Sequence, residues 1–209
     1  MSTRPCSVLC TAVLIATLAG CATLNRDECL QADWRRIGYV DGTEGESSSR
    51  INEHAKACAS YGIRPNLDLY LAGRKEGLLS YCQPENGFQI GRSGSEENAA
   101  ECPASLRPAF LTQYGHGREI HEIENDIASR ERQIDSNDKQ IRKANNRIAD
   151  IKTELQKNDV PNDKRTVLLN EFDQLVEQKD KLGRESRRTH EEADRLRHSL
   201  ETRLKELGR

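Results

Sequence analysis

Apolar residues return every seven positions at Ile120, Ile127, Ile134, Ile141, Ile148 and Leu155 without a miss. A weaker companion series runs through Ile123, Arg130, Asn137, Ala144 and Ile151. The pattern stops at Asn158-Asp159-Val160-Pro161-Asn162-Asp163, a run of turn formers with a proline. A second heptad series then follows through Leu168, Phe172, Leu175, Lys179, Leu182, Ser186, Thr189, Ala193, Leu196, Leu200 and Leu207. Seams sustained on both sides of a short break predict two long helices folded into an antiparallel coiled-coil hairpin over residues 118–209. At ~1.5 Å per residue each arm reaches on the order of 60 Å. Pairing between two chains is the alternative, and the short break and matched arms favour the hairpin. Arg130, Asn137, Lys179 and Ser186 interrupt the seam, as local weak points, register-setting positions or contacts with another chain. The other arm positions carry mixed charges and read as solvated faces.

The chain opens with a different pattern. Arg4 precedes an apolar run from Val8 to Leu18, too short for a permanent membrane span, which needs about 20 residues. It ends in Leu18-Ala19-Gly20-Cys21, which resembles a bacterial lipobox. The resemblance implies a signal peptide over residues 1–20, lipidation of Cys21 with diacylglycerol and an N-linked acyl chain such as palmitate, and a lipidated tether over 21–28. Two or three acyl chains, at about 0.8 kcal/mol per buried methylene, hold a protein stably at a membrane. Ala22, where the bacterial sorting rule reads Asp as inner-membrane retention, points to the outer membrane with the body facing the periplasm.

Composition fits a small core joined to something elongated: 35% of residues are hydrophobic and 4% aromatic, while 32% are charged. A net charge of −2 gives no electrostatic case for nucleic acid. Behind Cys21 stand four cysteines, Cys29, Cys58, Cys82 and Cys102, all in the first half. In an oxidising compartment two disulfides are expected. Three pairings are open, and Cys29–Cys58 with Cys82–Cys102 is preferred because each ties one helix to its neighbour. No Cys-x-x-Cys pair occurs, and His54 and His116 stand alone, so no metal or other cofactor is expected.

Residues 29–117 form a cysteine-, glycine- and aromatic-rich module. Tyr39-Val-Asp-Gly42, Tyr70-Leu-Ala-Gly73, Phe88-Gln-Ile-Gly91 and Tyr114-Gly-His-Gly117 repeat an aromatic-x-x-Gly signature, at a spacing too irregular for a solenoid. On helices, these glycines let a neighbouring backbone approach; in loops they permit positive φ beside a packed ring. Leu67 to Cys82 reads as helix, Gln83 to Gly87 as a turn. Trp34 and the tyrosines are expected in the core.

Trp34-x3-Gly38-Tyr39-x-Asp41-Gly42, Cys58-x2-Tyr61-Gly62, Tyr70-x2-Gly73-Arg74-x2-Gly77-Leu78-x2-Tyr81-Cys82, Asn86-Gly87-Phe88-x2-Gly91-Arg92-x-Gly94 and Cys102-Pro103 follow one another in order. Over about residues 27–120 this series is similar to DUF2799, a family of uncharacterised proteobacterial envelope lipoproteins. The resemblance implies an envelope address and a four-cysteine module, and lends no activity. Glu96-Glu97-Asn98 stands where the resemblance implies a tyrosine after Gly94.

The fold expected is all-α: a small disulfide-braced helical head followed by the hairpin. Asp41, His54, Asp68, Arg74, Tyr81, Asn86 and Arg92 are the candidates for chemistry, but no nucleophile elbow, paired-carboxylate signature or phosphate loop accompanies them. Asp41 beside Gly42 reads as a cap or turn residue. No enzyme is expected. The role expected is envelope interaction or scaffolding through the coiled coil, with an envelope protein, peptidoglycan or a second copy as partner. The alternative is a binding module for peptidoglycan or an anionic ligand in the head, through Arg74, Tyr81, Asn86 and Arg92.

Overall fold

A computed structural model describes residues 23–209; the apolar leader, Cys21 and Ala22 lie outside the described residues. Among the described residues the chain is all helix: α1 (Arg26–Leu30), α2 (Trp34–Thr43), α3 (Arg50–Cys58), α4 (Leu67–Tyr81), α5 (Pro84–Ser93), α6 (Arg107–Leu155) and α7 (Asn162–Glu206), with short 3-10 turns at Ala59–Tyr61 and Ala99–Glu101. Several starts are written in the sequence. Asn25 and Glu28 close a capping box on α1, Asp33 and Asn66 cap α2 and α4, and Pro84 occupies the first turn of α5.

The head is built on two helix pairs held at backbone contact. A Cβ on Gly38 would overlap the Tyr70 carbonyl, and one on Gly42 the Arg74 carbonyl; in return Gly73 meets Arg35 and Gly77 meets Tyr39. Both sets of partners advance together, so α2 and α4 run parallel. Each glycine aims a Cα–H at a carbonyl of the facing helix, a weak hydrogen bond that larger residues exclude. The pair α5 and α6 repeats this: Gly87 meets the Phe110 carbonyl, Gly91 that of Tyr114, and Gly117 that of Phe88.

The two pairs are structural copies. Gly38, Tyr39, Gly42 and Gly45 correspond to Gly87, Phe88, Gly91 and Gly94, each 49 residues on. Tyr70, Gly77 and Tyr81 correspond to Phe110, Gly117 and His121, each 40 residues on. Gly45 and Gly94 both take positive φ, at 74° and 80°. The ring of Tyr81 closes over the first and that of His121 over the second. Disulfides join Cys29 to Cys58 in the first copy and Cys82 to Cys102 in the second, the pairing preferred from the sequence. Two cores form, one around Trp34, Ile51 and Tyr70 within the first copy and one around Leu78, Tyr81 and Phe110 where the end of α4 meets the second. Arg74 links them, donating to the Glu46 carbonyl at 2.9 Å and 2.5 Å and to the Glu101 carboxylate at 2.6 Å.

All four aromatic-x-x-Gly copies lie on helices, and positive φ is reserved for the glycine that follows a helix end. Gln83–Gly87 is helix from Pro84 onward rather than a turn. A proline is well suited to the first turn of a helix, and Gly87 is required there by the Phe110 carbonyl. The end of α5 is built without the tyrosine that the resemblance implied: Gly94 turns the chain and Asn98 donates its backbone N–H to the Tyr81 hydroxyl at 3.0 Å.

The long hairpin is present. α6 and α7 lie antiparallel, with Arg147–Glu171, Arg130–Glu192, Arg197–Glu131 and Arg203–Glu119 paired across it. Ile148, Ile151, Leu168, Leu182 and Ala193 are buried along its seam. Asn137 and Ser186 are buried too, whereas Arg130 turns out to Glu192. The composition break at residue 118 falls inside α6, which passes from the head into the arm without interruption. α7 returns to the head: Arg209 stacks its guanidinium 3.5 Å from the Phe88 ring and donates to both oxygens of Glu85.

Candidate functional site

The four residues proposed from sequence as a ligand patch are each engaged within the fold. Arg74 is buried and engaged with Glu46 and Glu101. Tyr81 is buried in the second core, its hydroxyl accepting from Asn98. Asn86 donates its side-chain N–H to the Tyr81 carbonyl at 2.7 Å. Arg92 forks onto Glu124 with a shortest contact of 2.6 Å, which raises its pKa further. Each therefore has a protein partner inside the fold. The disulfide cysteines are all buried, and Asp68 lies in the first turn of α4.

A different group of polar side chains does come together. Asp41 is not a turn residue: it sits inside α2 on the face that carries Trp34 and Gly38, and is 6% exposed. His54, on α3, is 3% exposed and donates Nε2–H to Asp41 Oδ2 at 2.8 Å. The Tyr70 hydroxyl donates to the same oxygen at 2.6 Å. The other imidazole nitrogen, Nδ1, meets Thr23 Oγ1 at 2.8 Å. With Nε2–H given to the carboxylate, Nδ1 is the acceptor and the threonine hydroxyl donates.

Electrostatics follow from this geometry. Burial pushes the Asp41 carboxyl upward, but hydrogen bonds from His54 and Tyr70, with the positive charge of Arg50, outweigh it and hold the group below its ordinary value. Burial and the bond to Asp41 push the Tyr70 phenol far upward, so it remains a donor.

Thr23, Asp41 and His54 of this group line a cleft of about 620 Å³ between α1, α2 and α3, together with Leu24, Ile37, Val40 and Arg50 among others. Sequence reading reached Asp41 and His54 singly and missed Thr23 and Arg50. The one signal available is the 49-residue correspondence, which places Asp41 against Ile90 and so marks a charge at a core position. Among the described residues no group of three or more His, Cys, Asp or Glu side chains is placed to hold a metal ion, and no helix is long and apolar enough to cross a membrane.

Comparison with curated proteins and with solved structures returned no match. A family model does match, over residues 33–119, from the cap of α2 to the point where α6 leaves the head. That span holds both glycine-packed helix pairs, and over it the chain matches DUF2799, a family described as proteins of unknown function.

Proposed function

We propose that the protein is an outer-membrane lipoprotein, anchored through Cys21 and facing the periplasm, that acts without catalysis as an interaction or scaffold protein through its hairpin. The observation that carries this reading is the continuity of α6. One helix of 49 residues serves as the second glycine-packed helix of the head and as the first arm. At ~1.5 Å per residue it is about 73 Å long. The arms are thus held at a fixed angle to the head, as a device for reach requires and a flexible linker does not provide. Asn25 caps a helix four residues beyond Cys21, and Thr23 is bonded to buried His54. An acyl group on Cys21 therefore leaves little slack between head and bilayer. The disulfides support an oxidising compartment.

Photoreactive residues at exposed arm positions such as Gln140, Asn145 and Gln174, installed in cells, test the interaction reading. A discrete envelope protein captured from one stripe of the hairpin is the expected result. Capture of the chain alone replaces the partner by self-association, and capture of nothing removes the hairpin as an interaction surface. The address is tested separately: Cys21→Ser should lose incorporation of an alkyne fatty acid and fractionate away from membranes. Retained acylation overturns the anchor.

A further inference from the structure

The second copy of the helix pair is an internal control for the first. It reaches three of the four glycine contacts and the same disulfide bracing with Ile90 in place of Asp41 and Phe110 in place of Tyr70. Ile90 and Phe110 pack together in an apolar core. The architecture therefore does not need a buried carboxylate at this position. Apolar side chains of similar volume are commonly neutral or better for stability than a buried ion-paired group. The polar set in the first copy needs another reason.

Both hydrogen bonds to Asp41 arrive at Oδ2, and among the described residues none reaches Oδ1, although the side chain is more than nine-tenths buried and lines the cleft. Arg50, one turn before His54 on α3, lines the same cleft. Its Nη1 donates to Glu53 at 2.6 Å, while its buried Nε–H has no partner among the described residues. The cleft is thus lined by a carboxylate and a guanidinium that each keep a polar atom without a partner among the described residues. Leu24, Ile37 and Val40 add apolar wall. Its volume is within the range of small-molecule sites.

From this we infer that the cleft between α1, α2 and α3 binds a small zwitterion of the α-amino-acid type, its ammonium on Asp41 and its carboxylate on Arg50. His54 and Tyr70 hold the carboxylate of Asp41 charged and fix its orientation. Thr23 closes the site from the chain segment that follows Cys21, which brings the bound ligand close to the proposed anchor. A ligand bearing one charge alone satisfies half of the site and leaves the other unused.

The test uses the full-length protein in detergent, titrated calorimetrically with L- and D-alanine, L-leucine, L-lysine, L-glutamate and the dipeptide Ala-Ala, with propylamine and propionate as half-ligands. At least one zwitterion should bind with a Kd of about 1 mM or tighter, and the half-ligands about tenfold more weakly. Free amino acid against dipeptide separates the two sources of this chemistry. Arg50→Gln, at a half-exposed position outside the core, should keep the fold and weaken binding about tenfold or more. Asp41→Ile with Tyr70→Phe copies the second repeat and, with His54→Leu to remove the imidazole left without its acceptor, should fold without binding. No binding from any zwitterion at ~10 mM overturns the inference. Half-ligands as strong as zwitterions, or Arg50→Gln binding as wild type, does so equally. None of these outcomes bears on the hairpin.

Discussion

The Cα–H of Gly38 points at the carbonyl oxygen of Tyr70, at a distance that leaves no room for a methyl group. Because that neighbour is helix backbone rather than a side-chain tip, neither partner can yield without separating α2 from α4. Gly38→Ala or Gly73→Ala should therefore cost about 3 kcal/mol or more. Gly115 and Gly183 lie on helices with nothing closer than an Arg187 side chain 3.8 Å from Gly183. Alanine at either should instead stabilise by about 0.5–1 kcal/mol. Urea unfolding of the four variants gives the comparison, and equal effects would dismiss backbone contact as the reason for the glycines.

Asp41 makes a specific prediction in acid. Its pKa is held below that of the unfolded chain, about 3.9. The stability it contributes is fully present above that value and is lost as pH falls through the native one. Wild type should therefore lose stability more steeply than Asp41→Asn on acidification below about pH 4. Parallel pH profiles from thermal melts would show that Asp41 titrates alike in both states.

Asn137 is 1% exposed, accepts from Gln133 at 3.1 Å, and leaves its Nδ2 without a partner among the described residues. An isolated buried amide in a coiled-coil seam costs stability and fixes register. Asn137→Leu should raise stability by about 1–2 kcal/mol while admitting slipped or intermolecular pairings. Chemical denaturation measures the first effect and light scattering the second. A variant less stable than wild type would show the amide to be better satisfied than its geometry indicates.

Removing Arg209 takes away both the cation over Phe88 and the partner that draws the Glu85 carboxyl down to about 2. Both ends of this contact are near the surface, so global stability should change little. Fraying should be local, with faster amide exchange over the last turns of α7 and no change at Leu168 or Leu182. Uniform acceleration along the hairpin would instead make this contact its principal clamp.

The heptad seam was legible because a coiled coil buries one residue type at one period. No residue of the second series from Leu168 to Leu207 is fully exposed. The disulfides were legible because each closes a local crossover within one copy. The site was not. Asp41 reads as a turn residue when judged by its neighbour Gly42, and only the packing of α2 on α4 shows that Gly42 is a contact surface and Asp41 its buried flank. Arg50 and Thr23 carry no local signal at all, since both act through residues brought close by the Cys29–Cys58 staple. Arg74 and Arg92 misled for the opposite reason. Cations next to tight glycines look available, yet helices that close approach each other also bring carboxylates and carbonyls within their reach.

The continuity of α6 also makes the hairpin a lever. Its tip lies about 55 Å along the helix from Gly117, while the glycine contact from Phe110 to Gly117 spans about 10 Å. A sideways force on the tip is therefore multiplied roughly fivefold at the junction of α5 and α6. Cys82 and Cys102 bridge the segments that enter those two helices. The torque is thus borne by a covalent bond beside the contact, and whatever seizes the far end of the hairpin pulls on the head rather than bending a hinge.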